Sequence, residues 1–363
     1  MKIAVYAIAL NESKHVKRFV KACKDADLIV VSDTGSTDNT YDLLVKHGVQ
    51  AHKISVQPFR FDDARNVALA LVPTDVDVCV SLDLDEIPED GFFDKIRAAW
   101  QPDTDRAWVM WDTGTLWANN NRVHRRHGFR WIKPCHEVPV LSQKREEKDI
   151  IVEAFVKHAP DDSKPRTQYL GMLEWAVDED PSDARMLAYL AREYYFHQRW
   201  EDVVRTARRL GELHTGWNVE RSATWRNAGF AYQQIGDNEQ AEQWYRRGTE
   251  EAPDQPEAWF AYAQFFYTQE NWQDCFNAAE QGLQQKLDTH YLADESVQWR
   301  LHDLMAIASW NLGKKGSAKK HARIATEMNP DEQRLKDNFA FMVSDLAKEH
   351  SNGLQNRMSD TGL

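Results

Sequence analysis

Between residues 225 and 330 a pattern of large and small side chains returns every 34 positions. Trp225, Gly229, Tyr232, Ala241, Tyr245 and Pro253 set it, and Trp259, Ala263, Phe266, Cys275 and Ala279 take the matching places one period on. Looser copies surround Ala191, Tyr194 and Val203 on one side and Ala306, Ala318, Ala322 and Pro330 on the other. One unit of this length cannot bury an apolar face by itself, so successive units must stack. Small residues let paired helices approach closely, and aromatics fill the gaps between pairs. The spacing predicts an all-α solenoid over residues 166–345, with a concave surface suited to a partner. The polar stretch 346–363 reads as a frayed or disordered tail.

Before residue 165 the texture is different. "KIAVYAIAL", "DLIVVSD" and "VDVCVSLD" are short apolar runs of the kind buried on both faces of a parallel sheet. Between the first two lies a helical pattern that puts Val16, Phe19, Val20 and Cys23 on one face. A second helix is expected within "STDNTYDLLVKHG", with Ser36 or Thr37 as N-cap and Gly48 as the stop. The alternation predicts an α/β domain over residues 1–165 with a mostly parallel sheet. Ligands of such sheets bind at the carboxyl ends of the strands. Asp33, Asp83 and Asp85 all follow strand ends and belong on that rim.

Composition narrows the function. The net charge of −12 over 363 residues argues against broad, nonspecific nucleic-acid binding, though a local basic groove remains compatible with it. The four cysteines, Cys23, Cys79, Cys135 and Cys275, are widely spaced, as free thiols in a reducing compartment would be. No apolar run approaches the roughly 18 residues of a membrane span. "IAVYAIAL" is followed at once by the polar "NES", so a first strand is expected in place of a signal peptide, and the cytoplasm as the location.

Four stretches carry chemistry. In "LDLDE", Asp83, Asp85 and Glu86 crowd together, which suits either an acidic surface turn or a cation site. In "VVSDTGSTDNT", Gly35 and Ser36 permit a tight turn that could aim backbone N–H groups at a phosphate, while Asp33 could accept bonds from a base or ribose; a plain capped turn is the alternative. "FDDARN" sets Asp62, Arg65 and Asn66 at a helix start, where the aspartates could equally serve the helix dipole. From Arg122 to Lys133 the chain carries Arg122, Arg125, Arg126, Arg130 and Lys133 without an acid, then reaches His136 and Glu137. Such a stretch suits a diphosphate beside a divalent cation, or else a solvated hairpin. The dinucleotide G-x-G-x-x-G and the Walker phosphate loop are absent.

Taken in order, "ALNES", "VVSDTGSTDNT", "FDDARN", "LDLDE" and the late "CHE" resemble a family 2 glycosyltransferase with the Rossmann-like GT-A fold. The resemblance covers the whole first domain, and the array behind it resembles tetratricopeptide repeats. It implies inverting transfer of a sugar from a nucleotide-diphosphate donor, a UDP-sugar first, with Mn²⁺ or Mg²⁺. Asn11 and Glu12 would lie beside the nucleotide, Asp33 at its base, and Asp62 and Arg65 near nucleotide and diphosphate. Asp83 and Asp85 would be the D-x-D pair, with Asp85 on the metal and Asp83 on the ribose or on the metal through water. Gly35, Ser36, Arg122 and Arg125 complete the expected donor site. A general base must take the acceptor's proton. Glu137 is the first candidate and Asp112 the second, while His136 could ligate the metal or touch the diphosphate. The acceptor stays open among glycans, peptides or proteins, and nucleic acid, and the repeats could recognise it or mediate self-association. Two other classes remain: a repeat scaffold with an inactive transferase-like domain, and a sugar nucleotidyltransferase, whose usual Gly-rich N-terminal loop is missing here.

Overall fold

The computed structural model describes all residues except 113–116, 160–168, 287–292 and 345–363, and all side chains but those of 117–119 besides. The described chain divides into two compact units, the first ending at Asp180. The expected boundary at 165/166 and the expected tail 346–363 both lie outside the described residues.

The first unit opens with β1 (Ile3–Ala9), α1 (Ser13–Ala22), β2 (Leu28–Asp33), α2 (Thr40–Lys46), β3 (Gln50–Lys53), α3 (Phe61–Leu71) and β4 (Val78–Ser81). There follow β5 (Glu86–Pro88), α4 (Phe92–Ala99), β6 (Arg106–Asp112), β7 (Trp117–Arg125), β8 (Phe129–Ile132), β9 (Val138–Leu141), β10 (Asp149–His158) and α5 (Tyr169–Glu179). Strand β1 is buried on both faces because its residues alternate between two cores. Ile3, Val5 and Ala7 join Val16 and Phe19 of α1 and Phe92, Phe93 and Ile96 of α4. Ala4 and Tyr6 join Ala68 and Leu69 of α3 and Trp131 of β8. Of the face predicted for α1, Val16, Phe19 and Cys23 are fully buried and Val20 is partly so.

Eight strands form one sheet in the order β3-β2-β1-β4-β7-β6-β10-β5. The sheet is mixed: the greater part runs in parallel, as expected, with antiparallel pairings at β7 and β5. β1, β2, β3 and β4 pair in parallel, as do β6 and β10. β7, however, returns from β6 and inserts antiparallel between β6 and β4, and β5 runs antiparallel along β10. Two reversals on either side of β7 leave β4, β6 and β10 pointing the same way as β1 and β2. Their carboxyl ends, at Ala9, Asp33, Ser81, Asp112 and His158, therefore share one rim. Helix α2 starts later than predicted. Its N-cap is Asn39, because residues 33–38 form a hydrogen-bonded loop, and Gly48 follows its end at φ +80° as expected.

The second unit is a helical solenoid of α6 (Ala184–Phe196), α7 (Trp200–Leu213), α8 (Asn218–Ile235), α9 (Asn238–Glu251), α10 (Pro256–Thr268), α11 (Trp272–Gln284), α12 (Val297–Asn311), α13 (Lys315–Met328) and α14 (333–344). The large/small code works as read. A Cβ on Gly229 would sit 2.9 Å from the Tyr245 ring, so only glycine lets α8 and α9 approach this closely. Gly282 meets Leu301 in the same manner, also at 2.9 Å. Trp225 is fully buried, with the guanidinium groups of Arg247 and Arg221 centred 4.3 and 5.2 Å from its ring. Trp259 is only half-buried and donates to Pro253 O. Among the described residues no helix is long and apolar enough to cross a membrane.

Candidate functional site

The rim of the first unit gathers five charged side chains from four separate stretches of the sequence. Arg65, on α3 and only 3% exposed, donates from Nη2 to Asp83 Oδ1 at 2.8 Å, from Nε to Glu137 Oε1 at 2.5 Å and from Nη1 to Ser81 Oγ at 3.3 Å. Arg122 of β7 donates to the other Asp83 oxygen at 3.0 Å and approaches Glu86 Oε1 at 3.4 Å. Its guanidinium lies over the Trp111 ring, 5.2 Å from the centroid. The second Glu86 oxygen turns back to accept from Asp83 N at 2.5 Å. Burial alone would raise the Asp83 pKa, but Arg65 and Arg122 outweigh it and hold the carboxyl well below its ordinary range. Glu86 goes the other way, pushed well up by burial and then by the Asp83 charge. Two neighbouring carboxylates are thus driven apart in acidity, a pattern common at functional sites.

Asp85 points elsewhere. Its Oδ2 stands 3.4 Å from His158 Nε2, at the carboxyl end of β10. The turn Asp83–Glu86 separates the two aspartates' tasks: Asp83 is held by cations, and Asp85 faces an imidazole. An oxygen and a nitrogen donor at this separation are of the type that Mn²⁺ accepts. Among the described residues no group of three or more metal-ligating side chains occurs, so further ligands for such an ion would have to come from substrate and water.

The loop after β2 is bound up with itself. Asp33 Oδ1 accepts from Gly35 N and Ser36 N at 3.0 and 2.8 Å. Asn11, at φ +55°, accepts from Thr37 N and Asp38 N at 2.8 and 3.3 Å and donates its own N–H to Ser36 Oγ. Glu12 N donates to Thr40 Oγ1, which in turn donates to Asp38. The backbone N–H groups expected to face a phosphate are therefore already used inside the loop, and Asn11 and Ser36 serve as its staples. Gly35, at φ +118°, makes the turn possible. Asp33 differs: it is 2% exposed, and its Oδ2 has no hydrogen-bond partner among the described residues. A buried carboxylate oxygen left in this state is costly unless a ligand's N–H or O–H meets it.

Other expected residues have different places. Both oxygens of Asp62 are taken by Arg60, at 2.9 and 2.8 Å, and Arg60 also reaches Glu179 at 2.5 Å and lies over the Trp175 ring of α5. Arg125 pairs in register with Val78 at the amino end of β4, because β7 runs antiparallel, and it contacts Asp105 at 3.2 Å. It is on the sheet edge away from Asp83. Arg126 similarly donates twice to Val72 O. His136, at φ +50°, stacks on Tyr169 with ring centroids 5.9 Å apart. Asp112 ends β6 on the same rim. Sequence reading missed His158, and the available signal was a histidine closing the strand-like run "IIVEAFVKH". It also passed over Glu86 as a partner of Arg122.

An open cavity of about 430 Å³ lies in the repeat unit instead, lined by Arg205, Arg208 and Arg209 with Glu201, Glu212 and Tyr232. Its charges are mixed, and Arg205 and Arg208 are engaged by Asp202 and Tyr232. The rim, with buried opposed charges and an orphaned acceptor, is the stronger site.

A tetratricopeptide repeat family model matches residues 222–265. No curated protein matches the chain. Among solved structures it is similar to MamA, at 14% identity and a TM-score of 0.38, covering 46% of this chain and 89% of that one. It is also similar to YrrB, described as a TPR protein with an unusual peptide-binding site, at 11% identity and a TM-score of 0.36, covering 46% and 80%. TTC0263, described as a thermophilic TPR protein in Thermus thermophilus, gives 16% identity and a TM-score of 0.36, covering 48% and 88%. The repeat assignment stands on the family model and on the helix packing described above.

Proposed function

We propose that the first unit is a metal-dependent inverting glycosyltransferase domain of the GT-A type, using a nucleotide-diphosphate sugar, and that the tetratricopeptide array holds its acceptor or partner. The observation that carries this reading is the convergence, on one strand-end rim, of the orphaned Asp33 carboxylate, the Asp85–His158 pair and the Arg65–Asp83–Arg122 cluster. Asp33 Oδ2 would accept an N–H from the nucleotide base. Asp85 and His158 would hold Mn²⁺ or Mg²⁺, which when bound neutralises charge on the departing diphosphate. Arg122 and Arg65 would orient the donor through Asp83 and add positive potential near the diphosphate. Glu137 would take the proton of the acceptor hydroxyl as its oxygen bonds to the anomeric carbon and the bond to the diphosphate oxygen breaks. Asp112, on the same rim, is the other candidate base. Mn²⁺-dependent hydrolysis of a panel of UDP- and other nucleotide sugars by the full chain tests the reading.

A second reading is favoured by the family-model match, which concerns the repeats alone: a tetratricopeptide scaffold that binds a protein, with a catalytically idle sheet unit. Intact folding and partner capture without any nucleotide binding would support it over the first.

A further inference from the structure

Beneath the charged rim a buried polar column crosses the first unit. Trp131 of β8 is 2% exposed, and its indole Nε1–H donates to the Tyr6 hydroxyl at 2.7 Å. The Tyr6 O–H donates to His124 Nε2 at 2.9 Å, and His124 Nδ1–H donates to Arg125 O at 2.8 Å. This direction of donation is consistent because burial lowers the His124 pKa to about 4, leaving a neutral ring with one N–H. The Trp131 backbone is gripped separately: the Asn66 carboxamide donates to its O at 2.9 Å and accepts from its N at 2.8 Å. Asn66 is the neighbour of Arg65 on α3. On top of the column the Arg65 guanidinium lies over the Trp131 ring, 5.0 Å from the centroid.

We infer that Trp131, propped by Tyr6 and His124, is the positioning residue that fixes the plane of Arg65 so that one guanidinium can hold Asp83 and Glu137 together. The inference rests on the proposed function for its catalytic meaning. A guanidinium presents its donors in its own plane, so the directions of the bonds to Glu137, Ser81 and Asp83 all follow from how that plane is seated. The indole face supplies a flat, water-excluding seat and attracts the cation. An aliphatic side chain would leave Arg65 free to tilt, and both carboxylates would shift with it.

The test uses the full chain and two independent readouts. The first is exchange of the Arg65 Nε–H with water by ¹⁵N NMR, the signal being assigned by its loss in Arg65→Lys. The second is Mn²⁺-dependent hydrolysis of UDP-sugars. Trp131→Leu is expected to speed Arg65 Nε–H exchange at least about tenfold and lower kcat about 10- to 100-fold, the usual cost of small misplacement. Trp131→Phe, which keeps an aromatic face but loses the bond to the Tyr6 hydroxyl, should change both in the same direction and by less than Trp131→Leu. Phe93→Leu, buried on the opposite face of the sheet, is the control: its Tm should fall while Arg65 exchange and kcat stay. If Trp131→Leu fails to fold, Tyr6→Phe removes a single hydroxyl and should speed Arg65 exchange in the same direction. Unchanged Arg65 exchange in the folded Trp131→Leu or Tyr6→Phe variant, or an equal change in Phe93→Leu, overturns the inference. If the wild-type chain hydrolyses no donor, the proposed function falls, and the exchange rates alone still decide the role of Trp131.

Discussion

His158 Nε2 stands 3.4 Å from Asp85 Oδ2, so the last residue of β10 faces the second acid of the D-x-D turn. The register explains the meeting. His158 pairs with Glu86 across the antiparallel β10–β5 ladder, and Ala159 N donates to Asp85 O. If this pair holds a divalent cation, Asp85→Ala and His158→Ala should each weaken Mn²⁺-dependent UDP binding by about 10- to 100-fold. Calorimetric titration of UDP with and without Mn²⁺ checks this, and unchanged Mn²⁺ dependence in either variant removes that residue from the metal site.

Glu137→Gln is expected to keep UDP affinity and the wild-type fold, since a carboxamide oxygen can still accept from Arg65. Turnover should drop by about 10²- to 10⁴-fold, the usual worth of a general base. Asp112→Asn should stay near normal. The opposite pattern of steady-state rates would transfer the role to Asp112.

Acid should weaken the first unit through His124, against the opposite contribution of Glu86, whose raised folded pKa favours the folded state as pH falls. His124 is fully buried and its folded pKa lies at about 4, against roughly 6.5 when unfolded. Between these values the unfolded chain binds the proton and the folded chain does not, so stability falls as pH falls through that window. The full difference is about 3 kcal/mol by linkage. His124→Gln, which can still accept from Tyr6, should flatten the dependence of urea-unfolding free energy on pH from 6.5 to 4. An unaltered slope would show that His124 does not carry it.

In the repeats, Gly229→Ala should destabilise by about 1–3 kcal/mol, the common cost of overpacking. The added methyl meets the Tyr245 ring, which is packed in place with its hydroxyl bonded to Gln233 at 2.7 Å. Gly316→Ala, where nothing lies within 4 Å of the added Cβ, is the matched control and should be neutral or stabilising. Denaturant midpoints of the two variants make the comparison.

The repeats were legible because their code is local: Gly229 and Trp225 mark close approach and filling wherever the period recurs. Strands β1, β2 and β4 were legible for a similar reason, each being an apolar run. β7 was not, since "WANNNRVHR" has no apolar periodicity and takes its place from the ladders on both sides. That one strand decides much of the site. Running antiparallel, it brings Arg122 to the rim and carries Arg125 to the opposite edge, so neighbours in a basic run part company. The loop after β2 shows a second limit. Composition revealed donors near a helix start, but not that Asn11 and Asp33 would consume them. His158 was legible as a strand end but not as the partner of Asp85, because that meeting is set by the β10–β5 pairing.

A rim of this kind is expected to bind a nucleoside diphosphate together with a divalent cation. Thermal unfolding of the full chain with UDP, GDP, ADP and CDP, each with and without Mn²⁺, tests it most directly. At least one of them, UDP first, should raise stability only when Mn²⁺ is present, by about 2.7 kcal/mol at a hundredfold excess over its dissociation constant. Asp33→Asn should reduce this effect. No stabilisation by any of the nucleotides, with Mn²⁺ or without it, would contradict the claim and leave the repeat scaffold as the better reading.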